Sequence, residues 1–460
     1  MPIDRRDFVR ITAAGLLSVT AGRTAAAERL PNIVLIYADD MGYGDVGCYG
    51  SAINTPNLDQ LAGEGMRFTH FYSASPVCSP SRAALMTGRY PARVGVPGVL
   101  APSDTYGLPL SEMTLAELLK TAGYKTACIG KWHLGDVPQL LPSNRGFDEY
   151  YGIPYSNDQL PSVLMQNAQV IEQPVDLDNL TERYTERAIE FMQRAGDSPF
   201  FLYFAHTFPH IPLAASSRFL GKSGLGIYGD AVMEVDWSAG QISNFLKSAD
   251  LDTQTLVLFS SDNGPWYQGS AGGLRGRKGE TWDGGMRMPM IAKFPGRIPP
   301  GRVSYGMATA MDIFPTVAGL TRSTPANPSD GVDLWPNLID EKNVVPHDVF
   351  LYMNGWDVQC ARLGKWKLHV SRNTSPPWVP APDPGVRNLP LPRPELYDLY
   401  RDVDESYNVA DQNPEVVATI LNHMNVLIAT LPQYVQDRWQ ATMSTPVLET
   451  PPGAVPTAQI

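Results

Sequence analysis

The sequence predicts an α/β fold: a doubly wound, mostly parallel central sheet, followed by a smaller C-terminal α+β domain that carries an antiparallel sheet. Two observations support this class. Short, continuous apolar runs alternate with helical patterns, which is typical of parallel strands that are buried on both faces. After about Leu320 the pattern changes, and short strands separated by turns follow one another along the chain.

Four apolar runs are the predicted central strands, and each is rich in β-branched or aromatic residues. In chain order they cover residues 32–37, 125–129, 200–205 and 255–259. Helical patterns lie between them, most clearly over residues 115–121 and 184–194. This alternation of strand and helix predicts crossover connections, which place successive strands parallel to one another.

The C-terminal part has a different composition. Residues 323–333 are rich in Pro, Ser, Asp and Asn, as a linker would be. The turn at Gly364 and Lys365 predicts an antiparallel hairpin. The predicted strands cover residues 349–352, 358–363 and 366–370, and the predicted helix covers residues 414–431. We therefore divide the chain into a main domain of residues 28–342 and a small domain of residues 343–460, with a loosely ordered tail from Pro446.

The N-terminal segment, residues 1–27, has the features of an export signal. Arg5 and Arg6 precede Phe8 and an apolar stretch, and the small residues 25–27 suit cleavage. The twin arginines resemble a Tat signal, so we expect the Tat export machinery as a partner and a periplasmic or secreted bacterial protein. The alternative is an amphipathic arm. Beyond this segment no apolar run approaches the roughly 20 residues of a membrane span, so none is predicted in the mature chain.

The composition is that of an ordinary globular protein. Hydrophobic residues make up 43% of the 460 residues and charged residues 18%, which excludes a disordered chain. The net charge is -11 and no long run of Lys or Arg occurs, so no nucleic acid or anionic membrane is expected as the main partner. The four cysteines form no CxxC pair, which argues against a zinc ribbon or a thioredoxin motif.

Polar side chains follow each of the four predicted central strands. The carboxyl ends of parallel strands meet at one edge of an open sheet, and ligands bind in the crevice beyond that edge. A capped loop would explain any one of these segments, but not all four together. The residues concerned are Asp39, Asp40, Lys131, His133, His206, His210, Asp262 and Asn263.

Oxygen ligands dominate this set. Asp39, Asp40, Asp262 and Asn263 bring three carboxylates and an amide together, and such carboxylates would repel one another without a cation. Oxygen-only ligation favours Ca²⁺ or Mg²⁺ over zinc. The alternative for the first two residues is that they cap a turn.

The two histidines after the third strand have the i, i+4 spacing of a zinc helix. Pro209 and Pro212 oppose a helix there, and no Glu follows His206 as the HExxH motif requires, so we discount a zinc protease. Of the pair we favour His210 as a functional residue. For His206 a structural hydrogen-bonding role is the alternative.

A cysteine lies at the predicted start of a helix. Ser79 is the expected N-cap and Pro80 the first helical residue, so Cys78 would lie where amide donors favour an anion. Arg82, one turn later, adds a positive charge. The alternative is a buried, inert cysteine. A phosphatase of the Cys-x5-Arg type is excluded, because Ala84 stands where that motif has its arginine.

Together these motifs resemble the type I sulfatases, a family related in fold to the alkaline phosphatases. In that family the Cys-x-Pro-x-Arg core, here within residues 78–89, directs oxidation of the cysteine to formylglycine. The other segments that resemble the family's motifs are residues 31–40, 130–135, 209–212, 261–264, 276–285 and 395–399. The resemblance covers nearly all of residues 31–320 and departs from the family pattern at no catalytic position.

The resemblance implies a sulfuric ester hydrolase, arylsulfatase-like, that releases inorganic sulfate from an aryl sulfate or a sulfated carbohydrate. It implies formylglycine derived from Cys78, one Ca²⁺ per chain, and a formylglycine-generating enzyme as a partner during maturation. The implied catalytic residues are Cys78, Arg82, Lys131, His133, His210 and Lys278. The implied metal ligands are Asp39, Asp40, Cys78, Asp262 and Asn263.

The implied mechanism uses hydrated formylglycine, a geminal diol. One hydroxyl attacks sulfur while the metal, Lys131 and Lys278 neutralise the sulfate oxygens. His210 or Lys278 protonates the leaving oxygen. The second hydroxyl then loses its proton to His133, and the sulfated intermediate collapses to sulfate and the aldehyde. A serine lacks this second hydroxyl and would remain sulfated.

Two other functions stay open on the sequence alone. One is phosphonate monoester or phosphodiester hydrolysis by an enzyme of the same superfamily, against which Lys131 and His133 argue. The other is a non-catalytic sulfoglycan-binding protein, against which the intact cysteine motif argues. Trp266, Tyr267 and Tyr106 are candidates for a sugar or aryl pocket, although surface packing explains them equally well.

Overall fold

The computed structural model describes residues 29–102, 104–342, 347–374 and 385–444. The predicted export signal, the predicted tail from Pro446 and the predicted domain boundary at residues 343–346 lie outside these ranges. The division into two domains therefore stays a prediction. Within the described ranges, no helix has both the length and the apolarity needed to cross a membrane.

A mixed ten-stranded sheet is the central element of the fold. Its strands are β1 (Asn32–Ala38), β2 (Met66–Tyr72), β3 (Lys125–Gly130), β4 (Glu149–Gly152), β5 (Leu164–Gln166), β6 (Gln169–Glu172), β7 (Phe200–Ala205), β8 (Thr255–Ser261), β9 (Arg287–Lys293) and β10 (Arg302–Thr309). They are arranged in the order β10-β2-β9-β8-β1-β7-β3-β4-β5-β6.

Helices surround this sheet. They are α1 (Pro56–Gly63), α2 (Cys78–Thr87), α3 (Leu115–Thr121), α4 (Leu180–Ala195), α5 (Gly226–Ser248), α6 (Asp283–Met286), α7 (Ile313–Thr321) and α8 (Trp335–Ile339). The predicted helix over residues 115–121 is α3, whose start is fixed by a capping box in which Thr114 and Glu117 bond to each other's backbone.

The middle of the sheet is parallel, as the apolar runs predicted. Strands β8, β1, β7, β3 and β4 pair in parallel, and so do β10 and β2. Strand β9 pairs antiparallel with β8 and β2, and β5 pairs antiparallel with β4 and β6. Because only loops and the four-residue α6 separate β8 from β9, the chain turns back at the carboxyl edge instead of crossing over.

Both faces of the sheet are covered, which confirms the doubly wound class. All seven residues of β1 are buried. Val34, Ile36 and Ala38 share a hydrophobic cluster with residues of α1, α4 and α5. On the opposite face, the Tyr37 hydroxyl lies 3.5 Å from the Ser81 hydroxyl of α2. This burial on both sides explains why the run is continuously apolar rather than alternating.

The C-terminal part forms a second, antiparallel sheet, as predicted. Its strands, in spatial order, are β11 (Phe350–Asn354), β12 (Asp357–Leu363), β13 (Trp366–Arg372) and β14 (Leu389–Asp398), and helices α9 (Pro414–Ile428) and α10 (Gln433–Ser444) pack beside it. A hydrophobic cluster joins it to the main sheet, because Tyr72 and Met286 pack with Phe350 and Leu396. Residues 395–398 of the segment that resembles the family's final motif lie on β14, and Leu399 follows the strand.

Candidate active site

The polar segments after β1, β3, β7 and β8 meet at one edge of the sheet. Tyr37 is in register with Ala205 and with Ser260, and Gly130 is in register with Ala205. The residues that follow these strands are therefore neighbours. This register brings together, from segments far apart in sequence, the carboxylates, the lysine and the histidines that were expected at this edge.

Asp40 has a left-handed backbone, with φ of 62°, a conformation that Asp tolerates better than most residues. Its backbone amide donates to Asp262 Oδ1 over 3.1 Å. Its carboxylate accepts a hydrogen bond from Asn263 Nδ2 at 2.7 Å and from Lys278 Nζ at 2.8 Å. Asp40 therefore links the first and the last of the four polar segments, and it does not merely cap a turn.

Arg82 is buried among the acidic residues. Its Nε and Nη2 donate to Asp262 Oδ2 at 3.0 and 2.8 Å, and Nη2 lies 3.6 Å from Asp39 Oδ1. Its Nη1 donates to the Lys131 carbonyl at 3.0 Å and to the Tyr203 hydroxyl at 3.3 Å. With its donors used in this way, the guanidinium is held rigidly between α2 and the sheet.

Cys78 is the first residue of α2, and its thiol donates to Asp39 Oδ1 over 3.6 Å. The predicted N-cap was wrong: Val77 occupies that position, because the Ser79 hydroxyl accepts a hydrogen bond from the Leu100 amide at 3.1 Å instead. Burial raises the pKa of the Cys78 thiol far above its usual range, although Lys131 and Lys278 oppose the shift. All ten residues of α2 are buried.

Two lysines face the carboxylates. Lys131 Nζ donates to Asp39 Oδ2 at 2.5 Å and to the Ser156 hydroxyl at 3.1 Å. The residue before Lys131 must be glycine, because β3 and β7 approach each other closely there. A Cβ on Gly130 would lie 1.7 Å from the Ala205 carbonyl oxygen. Burial alone would lower the pKa of Lys278, but Asp40, Cys78 and Asp39 together raise it by more, so this ammonium stays charged.

Two imidazoles complete the site. His133 Nε2 lies 2.9 Å from the Leu100 carbonyl oxygen, and Nδ1 has no hydrogen-bond partner in the described part of the chain. His210 Nδ1 lies 2.5 Å from the Ile211 carbonyl oxygen, and its Nε2 lies 3.7 Å from Asp40 Oδ2. Burial lowers the pKa of both histidines. Because a carbonyl can only accept, the nitrogen that faces it carries the proton in each neutral ring. The other nitrogen, Nδ1 of His133 and Nε2 of His210, is then an acceptor.

His206 has a different environment. It is fully buried against Phe204, with ring centroids 4.3 Å apart. Neither of its ring nitrogens has a hydrogen-bond partner within the described ranges, so the hydrogen-bonding role considered for it is not seen there. Burial lowers its pKa to about 3, and the ring is neutral. The preference for His210 over His206 agrees with these positions.

A hard cation fits the acidic cluster. One ligand atom from each of Asp39, Asp40, Cys78 and His210 lies within 4.8 Å of the others. Asn263 Oδ1 is buried and has no hydrogen-bond partner among the described residues, as expected for an atom that ligates a metal. Burial raises the pKa of Asp40 and of Asp262, so the carboxylates gain from a nearby positive charge. The oxygen atoms suit Ca²⁺ or Mg²⁺ better than zinc.

A cavity of about 340 Å³ opens above these groups. Trp266 lines it, whereas Tyr267 packs against that indole outside the lining and Tyr106 is 56% exposed elsewhere. The residues that line the cavity are Cys78, Val99, His133, Ser156, Asp158, Gln159, His210, Ile211, Trp266 and Lys278. Three polar residues of this lining were not predicted: Ser156, Asp158 and Gln159. Strand β4 could have indicated them, because it is a parallel neighbour of β3 and ends at the same edge of the sheet.

The comparisons with known proteins agree with this geometry. A family model described as Sulfatase matches residues 31–323. Arylsulfatase A of Homo sapiens is 41% identical over 466 residues, which cover 90% of each chain. N-acetylgalactosamine-6-sulfatase of Rattus norvegicus is 41% identical over 395 residues, which cover 78% of this chain and 74% of that one.

Among solved structures, Ps i-CgsB in complex with k-i-k-neocarrahexaose superposes with a TM-score of 0.77 at 29% identity, covering 90% of this chain and 98% of that one. The family match and the arylsulfatase relatives support sulfate ester hydrolysis over the phosphonate alternative. The chain therefore belongs to the sulfatase family, and it is a sulfuric ester hydrolase with the sulfatase fold.

Proposed function

We propose that this sulfatase removes sulfate from carbohydrates, with formylglycine at position 78 as its nucleophile and Ca²⁺ as its metal. One observation carries the proposal: Cys78 lies at the start of a buried helix, 3.6 Å from Asp39, in a cavity that Lys278 and two imidazoles also line. An unmodified thiol suits this position poorly, because burial keeps it protonated.

Residue 78 together with Asp39, Asp40, Asp262 and Asn263 would hold the Ca²⁺. When bound, the ion supplies Lewis-acid polarisation of a sulfate oxygen. Three carboxylates and three cations, Arg82, Lys131 and Lys278, balance one another in the site as it stands. A divalent cation would leave a positive centre there, which suits an anionic ester.

Formylglycine supplies, as its hydrate, one hydroxyl that attacks sulfur and a second that allows sulfate to leave. Arg82 fixes the acidic side chains around residue 78 through its bonds to Asp262. Lys131 and Lys278 stabilise negative charge on the sulfate oxygens, since both lie within hydrogen-bonding distance of the carboxylates that surround the nucleophile.

His133 and Lys278 move protons. His133 Nδ1 is the acceptor for the proton of the second hydroxyl, because its Nε2 already faces the Leu100 carbonyl. Lys278, whose ammonium is charged, lies on the cavity wall as the proton donor to the leaving oxygen, and the neutral His210 offers Nε2 there as a hydrogen-bond acceptor. Ser156 bonds Lys131 and lies 3.5 Å from His210 Nε2, so it positions both groups.

Carbohydrate is the substrate class that we favour. Relatives at 41% identity are named for a sulfated amino sugar, and Ps i-CgsB was solved with a neocarrahexaose. The indole of Trp266 in the cavity provides an apolar surface for a sugar face. A screen that compares sulfated mono- and oligosaccharides with 4-nitrophenyl sulfate and a 4-nitrophenyl phosphonate tests this. Turnover of the phosphonate alone would overturn the proposal.

Maturation and export would follow a fixed order. Because Cys78 is 1% exposed and α2 is wholly buried, a modifying enzyme must act before the protein folds. We propose Tat export to the periplasm or beyond on the basis of Arg5 and Arg6. Replacing both with Lys should leave active, formylglycine-bearing protein inside the cell. Unmodified cysteine in the retained protein, with formylglycine only in the exported form, would contradict this order.

A further inference from the structure

A second, larger cavity lies beside the active-site cavity. Its volume is about 700 Å³, within the range of about 300–1,000 Å³ in which ligand pockets fall. Val99 lines both cavities, and Val77 and Gly279 line the larger one next to Cys78 and Lys278 of the smaller one. The two cavities are therefore adjacent. We call the larger cavity the outer groove.

The far wall of the outer groove belongs to the C-terminal sheet and α10. The turn between β11 and β12 contributes Trp356, which is partly exposed and packs edge-on against Tyr434, with ring centroids 5.5 Å apart. Arg438 of α10 holds the same turn through two bonds of 2.7 Å to the two oxygens of Asp357. The indole is thus fixed in place before any ligand arrives, which lowers the entropy cost of binding.

The wall of the outer groove is also hydrogen-bonded to Gly279, in the segment that carries Lys278. Asn354 Nδ2 and Asn373 Nδ2 donate to the Gly279 carbonyl at 3.2 and 2.9 Å. The Gly279 amide donates to the Pro76 carbonyl at 2.8 Å. Gly279 follows Lys278, so a ligand in the outer groove lies against the same segment that carries the active-site lysine.

The lining has the chemistry of a sugar-binding surface. An indole offers an apolar face and Arg387 is an exposed cation on the rim, whereas Asn354 and Asn388, whose amides already donate to Gly279 and Thr442, fix the wall. A simple aryl sulfate would not extend beyond the 340 Å³ cavity around residue 78. A sulfated saccharide that continues past its sulfated unit would enter the groove with its next sugar.

We propose that the outer groove is the binding site for the sugar units next to the sulfated one, with Trp356 against a sugar face and Arg387 beside an anionic substituent. The enzyme is then selective for sulfate on oligosaccharides. This inference rests on the proposed function, because it assumes that the sulfate ester binds at residue 78.

Kinetics on paired substrates test the groove. The first pair is N-acetylgalactosamine 6-sulfate and a chondroitin 6-sulfate trisaccharide that ends in this sugar. The second pair is a sulfated galactose and a sulfated neocarratetraose. 4-Nitrophenyl sulfate is measured beside both pairs. Trp356→Ala should lower kcat/KM on an oligosaccharide about tenfold and leave 4-nitrophenyl sulfate unchanged. Trp356→Phe should restore most of the loss. Trp335→Ala, a partly exposed indole packed on Phe294, is the matched control.

Arg387→Ala is a second variant in case Trp356→Ala fails to fold, since this exposed side chain contributes little to packing. It should lower kcat/KM on the anionic oligosaccharide about threefold and spare the aryl ester. Equal losses on aryl and oligosaccharide substrates, or equal turnover of an oligosaccharide and its monosaccharide, would overturn the groove assignment while sulfatase activity stands.

A binding measurement separates this inference from the catalytic proposal. Calorimetry of Cys78→Ala protein with the desulfated trisaccharide and tetrasaccharide needs no turnover. We expect one of them to bind, and Trp356→Ala in that background to weaken the binding about tenfold. No binding of either would overturn the inference. Binding without hydrolysis of any sulfate ester by formylglycine-bearing enzyme would support the groove and overturn the proposed function.

Discussion

Arg82 and Asp262 form a fully buried ion pair in which Nε and Nη2 both donate to the same carboxylate oxygen, at 3.0 and 2.8 Å. The pair joins the helix that begins with Cys78 to the strand end that carries Asp262. It therefore fixes the position of residue 78 relative to the acidic cluster. Its energetic role is distinct from catalysis and can be measured separately.

Loss of one partner of this pair should destabilise the fold. Arg82→Ala leaves Asp262 buried and unpaired, which should lower the free energy of unfolding by about 3–5 kcal/mol. Arg82→Lys keeps a charge but not the forked geometry, so its free energy of unfolding should lie between those of the unsubstituted protein and Arg82→Ala. Denaturant unfolding measures the effect. Arg187→Ala, at a partly exposed residue of α4, is the control, and a loss below about 1 kcal/mol for Arg82→Ala would contradict the account.

Calcium should stabilise the protein through the acidic cluster. At a Ca²⁺ concentration a hundred times its Kd, the free energy of unfolding should rise by about 2.7 kcal/mol. Asp39→Asn should reduce this gain and the activity together, whereas Asp148→Asn, just before β4 and at the opposite end of that strand from the site, should reduce neither. Thermal unfolding with and without a chelator measures the stabilisation by Ca²⁺. Stoichiometric zinc with no calcium in metal analysis would contradict the oxygen-ligand assignment.

Variants of the proton-transfer residues should differ in how strongly their rates depend on the leaving group. Lys278→Ala should cost more on aryl sulfates whose phenol is a poor leaving group, because the Lys278 ammonium protonates the departing oxygen. His133→Ala should lower kcat by about 10²–10⁴ for good and poor leaving groups alike. A series of substituted phenyl sulfates provides the test. A steeper leaving-group dependence for His133→Ala than for Lys278→Ala would reverse the assignment.

Glu234 should make stability fall as pH rises. It is buried on α5, and only one of its carboxylate oxygens has a partner among the described residues, the Ser216 amide at 2.9 Å. Burial raises its pKa from 4.5 to about 7. The folded state thus binds the proton more tightly, so the stabilisation present below pH 4.5 is lost as pH rises through 7.

Glu234→Gln removes this titration while keeping the shape. It should raise the free energy of unfolding by about 1–2 kcal/mol at pH 8 and change it little at pH 4.5. Glu186→Gln, an exposed residue of α4, is the control and should show no such pH dependence. Equal effects of Glu234→Gln at both pH values would show that its carboxyl has no raised pKa in the folded protein.

The sequence predicted the parts of the site that depend on strand order. Continuous apolar runs marked β1 and β3, and the rule that parallel strands share one carboxyl edge brought Asp39 and Lys131 together. It missed Ser156, because β4 is four residues long and its apolar signal is weak. It misplaced the helix cap, because Ser79 bonds an amide 21 residues away rather than its own helix. Long-range contacts of this kind leave no local pattern.

The central claim is that the aldehyde form of residue 78 is the nucleophile. Cys78→Ala should abolish turnover without unfolding the protein, since the side chain is small, and Cys78→Ser should be nearly inactive.

The most direct measurement combines the mass of the peptide containing residue 78 with 4-nitrophenyl sulfate turnover, in preparations made with different amounts of a formylglycine-generating enzyme. Formylglycine differs from cysteine by the loss of one sulfur and two hydrogens and the gain of one oxygen. We predict that turnover rises in proportion to the fraction of peptide with this mass and reaches zero when only cysteine is present. Full turnover in a preparation with unmodified Cys78 would contradict the claim.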